Sequence, residues 1–520
     1  MSSAIFKKTS IVGLATLLSR ITGLLREMIY AHSFGASALM DAFLVAFKIP
    51  NFLRRLFAEG AFSQSFVPVI SEHRVQRSHD EVRELVAGVS GTLGAVLLVL
   101  SAIGVVAAPL IILLFAPGFT QVQGKYEMAV HMLRWTFPYV FFVSLTALFS
   151  GVLNSYGRFA IPALTSVIMN TVMIGATLLA ATYSNDPGLT MSIGVFVAGC
   201  VQLGFQLPAV ANLKLLAWPR WAPAMAGVRR IGALMVPGII GSSMAQVSLL
   251  LDTIIASFLV TGSIAWLYYA DRLMEFPLGV FSIALATVIL PGLSAHHAND
   301  AREQFSQTLD WALRLTVLLT APAAVALLCF AQPLTATLFG YGRFSEHDVR
   351  MASYALMAYS WGLLGFSLVK VLAPGYYARQ DTKAPVRIAL ISLACTMSLN
   401  VLVVYPAAKL GFAVPHVLLA TTTCIGAALN TMMLWRGLHR AGVLRPAGDW
   451  GRFLLRVVLA NAVMGALLVW LAGDLSSWTS LPAYARVLRL AGGVGAGALV
   501  YFAVLFAAGL RYRDLRPAVL

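Results

Sequence analysis

Charge is what this sequence has least of: Asp, Glu, Lys and Arg supply 11% of its 520 residues, under half of the roughly 25% usual in soluble domains. With 59% hydrophobic residues and a mean hydropathy of +0.81, it lacks the polar surface that water requires, so the bilayer is its main solvent. Cysteine is scarce as well. Cys200, Cys329, Cys395 and Cys424 each stand alone in apolar stretches, which excludes a disulfide framework or cysteine metal knuckle and reads as core packing. No G-x-x-x-x-G-K-[ST] loop occurs, and no polar segment is long enough for a catalytic domain, so ATP hydrolysis and enzyme activity are set aside. His73, His79, His296, His297 and His347 read as loop residues without metal-ligand spacing. Alternation is missing too: runs such as Gly94–Val106 and Val457–Leu471 are continuously apolar, so the crossing elements are helices and not barrel strands.

What is present is a succession of long apolar runs. Breaks at polar, proline and glycine residues divide the chain into fourteen candidate spans, near 9–34, 38–70, 84–114, 126–153, 159–183, 189–212, 229–258, 263–293, 305–336, 349–377, 384–407, 411–434, 452–472 and 486–510. The expected fold is therefore an all-α polytopic membrane protein with fourteen transmembrane helices. Lys7 and Lys8 before the first span suggest a signal peptide, but no small-residue cleavage site follows and Arg20 interrupts the run, so this is an uncleaved helix.

A net charge of +16 raises nucleic acid as a partner, yet the cations are spread through loops between spans instead of clustering with aromatics on a soluble face. The even-numbered loops and both ends carry most of them: Arg74, Arg77 and Arg83; Lys214, Arg220, Arg229 and Arg230; Arg379, Lys383 and Arg387; Arg436, Arg440, Arg445 and Arg452; and Arg511, Arg513 and Arg516. By the positive-inside rule these face the cytoplasm, with both termini inside. Lys125, Arg343, Arg350 and Lys409 lie in the odd loops, and Arg486 and Arg489 run against the rule.

Sliding the chain along itself by about 224 residues sets Ser33-Phe34 on Ser257-Phe258, Lys48 on Arg272, Phe115 and Gly118 on Phe339 and Gly342, and Gly151 on Gly375. A constant offset over so long a stretch argues for duplication. Each copy holds six spans, an even number, so the two share one orientation. The expected division is an N-terminal six-helix lobe (1–225), a second six-helix lobe (226–440) and two added helices (441–520), with a midplane cavity between pseudo-symmetric lobes.

The rare charges sit where lipid would not tolerate them. At 100° per residue, Thr16, Ser19, Arg20, Gly23, Arg26, Glu27 and Tyr30 fall on one side of the first span, opposite Leu17, Leu18, Ile21 and Leu24. Each arginine at a helix centre costs about 2.5–3.5 kcal/mol on the insertion scale, so this stripe faces protein or a water-filled cavity. A plain Arg20–Glu27 packing pair accounts for part of it and leaves Arg26 over. The second span carries Asp41, Lys48, Pro50, Arg54, Arg55 and Glu59, and the eighth carries Asp271, Arg272 and Glu275 before Pro277; Lys370 lies in the tenth. Several guanidinium groups together suit a phosphate or diphosphate. Asp252 stands alone in the seventh span and, with Asn400 and Thr421 or Thr422, makes either a cation site or a partner for a nearby arginine.

The segments Ser19-Arg20, Arg26-Glu27, Phe34-Gly35-Ala36, Asp41-Ala42-Phe43, Val45-Ala46-Phe47-Lys48-Ile49-Pro50-Asn51, Arg54-Arg55, Ala116-Pro117-Gly118-Phe119, Tyr268 to Pro277 and Val369 to Gly375 together resemble the MviN/MurJ lipid II flippases, over essentially the whole chain. The resemblance implies a transporter of the multidrug/oligosaccharidyl-lipid/polysaccharide exporter superfamily. Such a protein moves the lipid-linked peptidoglycan precursor, an undecaprenyl-diphosphate-linked disaccharide pentapeptide, from the cytoplasmic to the periplasmic leaflet of the bacterial inner membrane. It implies substrate-binding charges at Arg20, Arg26, Asp41, Arg54, Arg55 and Arg272, with Lys48, Asp271, Glu275 and Lys370 in support and the last two helices forming a groove for the lipid tail. It also implies alternating access, a role in cell-wall synthesis and cell shape, and contact with other cell-wall synthesis proteins. In some relatives a sodium ion sits between helices seven, eleven and twelve. Asp252, Asn400 and Thr421 match that place, with Val404 where a second acid is expected, so coupling to sodium or to the membrane potential stays open. No cofactor is implied. The rival readings are an exporter of drugs or of another polyprenyl-linked oligosaccharide on the same fold, a polyprenyl-phosphate enzyme, and a non-transporting scaffold.

Overall fold

The computed structural model describes residues 2–55 and 62–511, all helix or connecting loop, with no strand among them. Glu59, Arg513 and Arg516 lie outside the described residues. The chain forms two compact units, Met1–Gly262 and Ser263–Leu520. The first contains α1 (Ser2–Phe34), α2 (Ala38–Arg54), α3 (Ser63–Gln76), α4 (His79–Val106), α5 (Ala108–Phe115), α6 (Lys125–Thr136), α7 (Tyr139–Ser155), α8 (Ala160–Tyr183), α9 (Pro187–Asn212) and α10 (Ala226–Ser257). The second contains α11 (Ser263–Pro277), α12 (Ala284–Ala298), α13 (Arg302–Cys329), α14 (Ala331–Leu338), α15 (Glu346–Tyr377), α16 (Lys383–Leu399), α17 (Tyr405–Lys409), α18 (Pro415–Arg440), α19 (Trp450–Ala472), α20 (Ser476–Thr479) and α21 (Ala483–Ala507).

Local chemistry sets the helix ends. Ser37 accepts from the Met40 amide at the start of α2, and reciprocal capping boxes open α4 (Ser78 with Glu81) and α15 (Ser345 with Asp348), each satisfying amide donors that have no partner within the helix. Among the described residues, eleven helical segments are long and apolar enough to cross a bilayer, and they match the expected third to sixth and eighth to fourteenth spans. The first, second and seventh expected spans are also helical, as α1, α2 with α3, and α10. The histidines read as loop residues are instead on helices: His73 in α3, His79 opening α4, His296 and His297 closing α12, and His347 in the first turn of α15. Capping boxes just before a charged first turn extend α4 and α15 ahead of the apolar run and so take in His79 and His347. Of the four free cysteines, Cys424 is buried and the other three are half-buried.

Proline does not break the second span at Pro50, because α2 runs on to Arg54. Pro50 has no amide proton for the Ala46 carbonyl. The Thr136 hydroxyl of α6 donates to that carbonyl instead, at 2.9 Å. The same device recurs in the second unit. Pro322 lies inside α13, and the carbonyl four residues back, Leu318, accepts from the Tyr501 hydroxyl of α21 at 2.8 Å. In lipid such a carbonyl has no water to turn to, so another helix must supply the donor.

Each unit has its own apolar core. Six buried members of the first, Val69, Leu85, Val89, Leu148, Val152 and Val210, have counterparts 224 residues on in the second: Leu293, Leu309, Leu313, Leu372, Tyr376 and Leu434. Outside that correspondence, α19 and α21 pack on each other and on α13. Their seat is polar at one end: Arg314 of α13 holds Asp310 at 2.9 Å and both carboxylate oxygens of Asp449, while the Trp450 indole donates to Asp310 at 2.6 Å.

Candidate functional site

In the first unit the charged stripe of α1 meets α8. Arg26 Nη1 donates to Asn170 Oδ1 at 3.0 Å, the guanidinium pairs with Glu27, and it lies 5.5 Å from the Tyr30 ring centre. Asn170 also reaches back, its amide nitrogen donating to the Ser19 carbonyl and the Thr22 hydroxyl, both at 3.1 Å. One amide side chain therefore clamps a turn of α1 and orients the guanidinium. Arg26 sits eight residues before the end of α1, about 12 Å along the axis at 1.5 Å per residue, a depth at which its charge demands such partners. Glu27 pairs with Arg26 and not with Arg20. Arg20 is exposed, with no hydrogen bond or ion pair among the described residues.

Asp41 and Lys48 occupy α2. Asp41 is 1% exposed, and one carboxylate oxygen accepts from Lys125 Nζ and from the Gly262 amide, both at 2.8 Å. Lys125, expected in an outer loop, is the first residue of α6 and is itself buried, its ammonium 4.5 Å from the Phe119 ring centre. Gly262 sits at φ +96°, which favours glycine. Close by in sequence, the Gly118 amide donates to Ser257 at 3.0 Å. A Cβ on Gly118 would fall 2.3 Å from the Ser257 carbonyl, so only glycine fits there. Lys48 donates to Thr253 of α10 at 2.7 Å, one residue from the half-buried Asp252. Arg54 donates to Asn51 at 3.1 Å, and Arg54 and Arg55 are both half-buried.

In the second unit Arg272 of α11 donates to Glu275 at 2.7 Å and its guanidinium lies 5.0 Å from the Tyr268 ring centre. Both partners are partly open, at 36% and 42% side-chain exposure. Asp271 beside them is half-buried, and Lys370 of α15 is exposed. At position 266 a Trp donates its indole to Asp348 at 2.9 Å; each lies one residue from the +224 counterpart of Asp41 and Lys125 respectively, so a neutral donor ties the second unit where an ion pair ties the first. Of the residues read as a cation site, Asn400 is buried in a π-helical turn, where its Oδ1 accepts from Thr422. Thr421 is exposed and donates to its own helix at Val417.

The sequence reading missed Asn170, Lys125 and Thr253 as partners. An amide inside the apolar 159–183 stretch was the available signal, since polar side chains in membrane helices commonly join neighbours. It also missed the buried Arg486, whose guanidinium donates to the carbonyls of Thr479, Leu481, Ala336 and Gly340 at 2.6–3.2 Å. Arg489 likewise donates to Ser477 and stacks 4.4 Å from the Trp478 ring centre.

The architecture is that of a polytopic α-helical membrane transporter. With an inward-facing multidrug resistance transporter of the MATE family, of the MOP superfamily, it shares a TM-score of 0.66 at 13% identity, covering 82% of this chain and 95% of the other. A structure described as lipid II flippase MurJ in an inward closed conformation gives a TM-score of 0.78 at 26% identity over 97% of this chain and 99% of that one. The family model described as lipid II flippase MurJ matches residues 30–509. A probable lipid II flippase MurJ of Vibrio cholerae serotype O1 is 42% identical over 100% of this chain and 99% of its own; a lipid II flippase MurJ of Burkholderia cenocepacia is 42% identical over 96% and 97%. The chain belongs to the lipid II flippase MurJ family.

Proposed function

We propose that this chain is a transporter, not an enzyme, that moves lipid II from the cytoplasmic to the periplasmic leaflet of the bacterial inner membrane for peptidoglycan synthesis. The observation that carries the reading is Arg26: a guanidinium held at membrane depth by Asn170 and Glu27, in a chain of this family. Arg20, Arg26, Arg54, Arg55 and Arg272 bind the diphosphate, helped by Lys48 and Lys370, while the polyprenyl tail stays in lipid along the two helices of residues 441–520. Glu275 holds Arg272 in place with Asp271 beside it, and Asp41 fastens α2 through Lys125. The two six-helix lobes, 1–225 and 226–440, alternate access to the two leaflets, and both termini lie in the cytoplasm.

No cofactor is needed for this. A cationic carrier feels about 2.3 kcal/mol per charge per 100 mV, so the potential resets the empty protein; a sodium ion at Asp252 and Asn400 is the second way to drive the same step. The full chain in liposomes tests the reading, with lipid II placed in one leaflet and its arrival in the other followed by a leaflet-specific probe. Transport well above protein-free vesicles is expected, with Arg26→Ala and Arg272→Ala each losing at least about tenfold, as for one charge-assisted contact of about 1.4 kcal/mol or more. Rates equal to protein-free vesicles overturn the proposal. Dissipating the potential and removing sodium in separate arms assigns the driving force.

A further inference from the structure

Within the second unit, α15 and α18 leave between them a groove of about 610 Å³ whose apolar walls include Leu364 and Leu368 on one helix and Ala428 and Met432 on the other. At one end the groove reaches Arg436 and Arg440, and no Asp or Glu lines it. The Thr431 hydroxyl and one ring nitrogen of His439 are already used: the hydroxyl donates to the Gly365 carbonyl across the helix pair at 2.9 Å, and the nitrogen meets the Leu444 carbonyl at 3.1 Å. The two arginines are not. Both are exposed, and neither has a hydrogen bond or ion pair among the described residues, whereas Arg230 holds Glu72 and Arg314 holds Asp310 and Asp449.

The dimensions fit a lipid. From Ala428 to Arg440 is about 18 Å of helix at 1.5 Å per residue, close to the half-thickness of a hydrocarbon core of about 30 Å. The cation bias of the loops puts the C-terminal end of α18 on the cytoplasmic side. Lys370, two residues beyond Leu368, projects about 200° round α15 from it, so the groove lies on a different face from the charge assigned to substrate.

We propose that this groove seats one anionic phospholipid of the cytoplasmic leaflet, an acyl chain against Leu364, Leu368 and Met432 and the phosphate against Arg436 and Arg440. Guanidinium forks match phosphate oxygens, and basic pockets between helices on the cytoplasmic side suit anionic headgroups. The test uses the full chain in detergent, with phosphatidylglycerol or phosphatidylcholine of identical acyl chains. Lipid retained by the intact protein is counted by native mass spectrometry, and Tm is measured alongside. Phosphatidylglycerol is expected to be retained about thirtyfold better, as two basic residues beside the headgroup give, and to raise Tm. The R436Q/R440Q double variant should keep its lipid-free Tm and lose the preference. Ala428→Trp, which fills the groove with both arginines intact, should lose the retained lipid. Equal retention of the two lipids by the unsubstituted protein overturns the proposal, as does a preference that survives in the double variant; if Ala428→Trp does not fold, the double variant decides.

Discussion

A carboxylate is a poor ligand for a diphosphate, and one oxygen of Asp41 already accepts from both Lys125 and the Gly262 amide. Its chemistry is that of a lock joining α2 to α6 and to the turn after α10. Removing one member of a buried pair leaves the other charge stranded, at a typical loss of 3–5 kcal/mol, so roughly that is expected here. Asp41→Asn should therefore lower Tm sharply in detergent, and adding Lys125→Met should recover most of the loss. Transport separates the roles: a lock restored by the double variant transports again, whereas a carboxylate that touches substrate leaves the double variant inactive. Arg26 shows how much of a site lies in the sequence. Its depth in an apolar run marked it as functional, because lipid penalises charge whatever the fold. Its partner Asn170 lies 144 residues away, and helical periodicity carries no information about which helix packs against which.

At Pro50 and Pro322, α2 and α13 each take one hydrogen bond from a neighbouring helix. Thr136→Val should cost about 1 kcal/mol, since it leaves the Ala46 carbonyl without a donor. With Pro50→Ala in place, the residue-50 amide serves that carbonyl, and the same Thr136→Val change should cost close to nothing. A double-mutant cycle on Tm reads this directly, and a cycle that closes without coupling removes the explanation. The seat of α19 makes a pH prediction. The hydrogen bond from Arg314 holds the Asp449 carboxyl below its ordinary value of 3.8. A depressed folded-state value contributes stability that is complete above the unfolded value and is lost as pH falls through the folded one. Asp449→Asn is thus expected to lower Tm at pH 7, by a modest amount because Asp449 is largely exposed, and the gap to the unsubstituted protein should begin to narrow below about pH 4 and close as pH falls through the depressed folded-state value. Element types were legible throughout because apolar runs of this length admit only helix. Element ends were less so: capping boxes at Ser78 and Ser345 start helices ahead of the apolar run, which put His79 and His347 on helices, while α3 and α12 run on past the apolar residues to include His73, His296 and His297.

For the whole molecule, orientation rests on counting loop cations, and two of them spoiled the count. Arg486 is buried against four backbone carbonyls, and Arg489 is committed to Ser477 and Trp478. Both donate to carbonyls near the C-terminal ends of α14 and α20, as basic groups at helix C-termini do. Charges consumed in this way are part of the folded interior and should be left out of a rule about exposed loops. Without them the bias is sharper, and it predicts the loop at Gly448 inside and the loop at Asn185 outside. A membrane-impermeant thiol reagent applied to intact cells should label Asn185→Cys and spare Gly448→Cys until the cells are opened. The native cysteines, buried or half-buried within apolar helices, set a low background. Labelling of Gly448→Cys in intact cells would invert the topology, and with it the side of the membrane on which Arg436 and Arg440 meet their lipid.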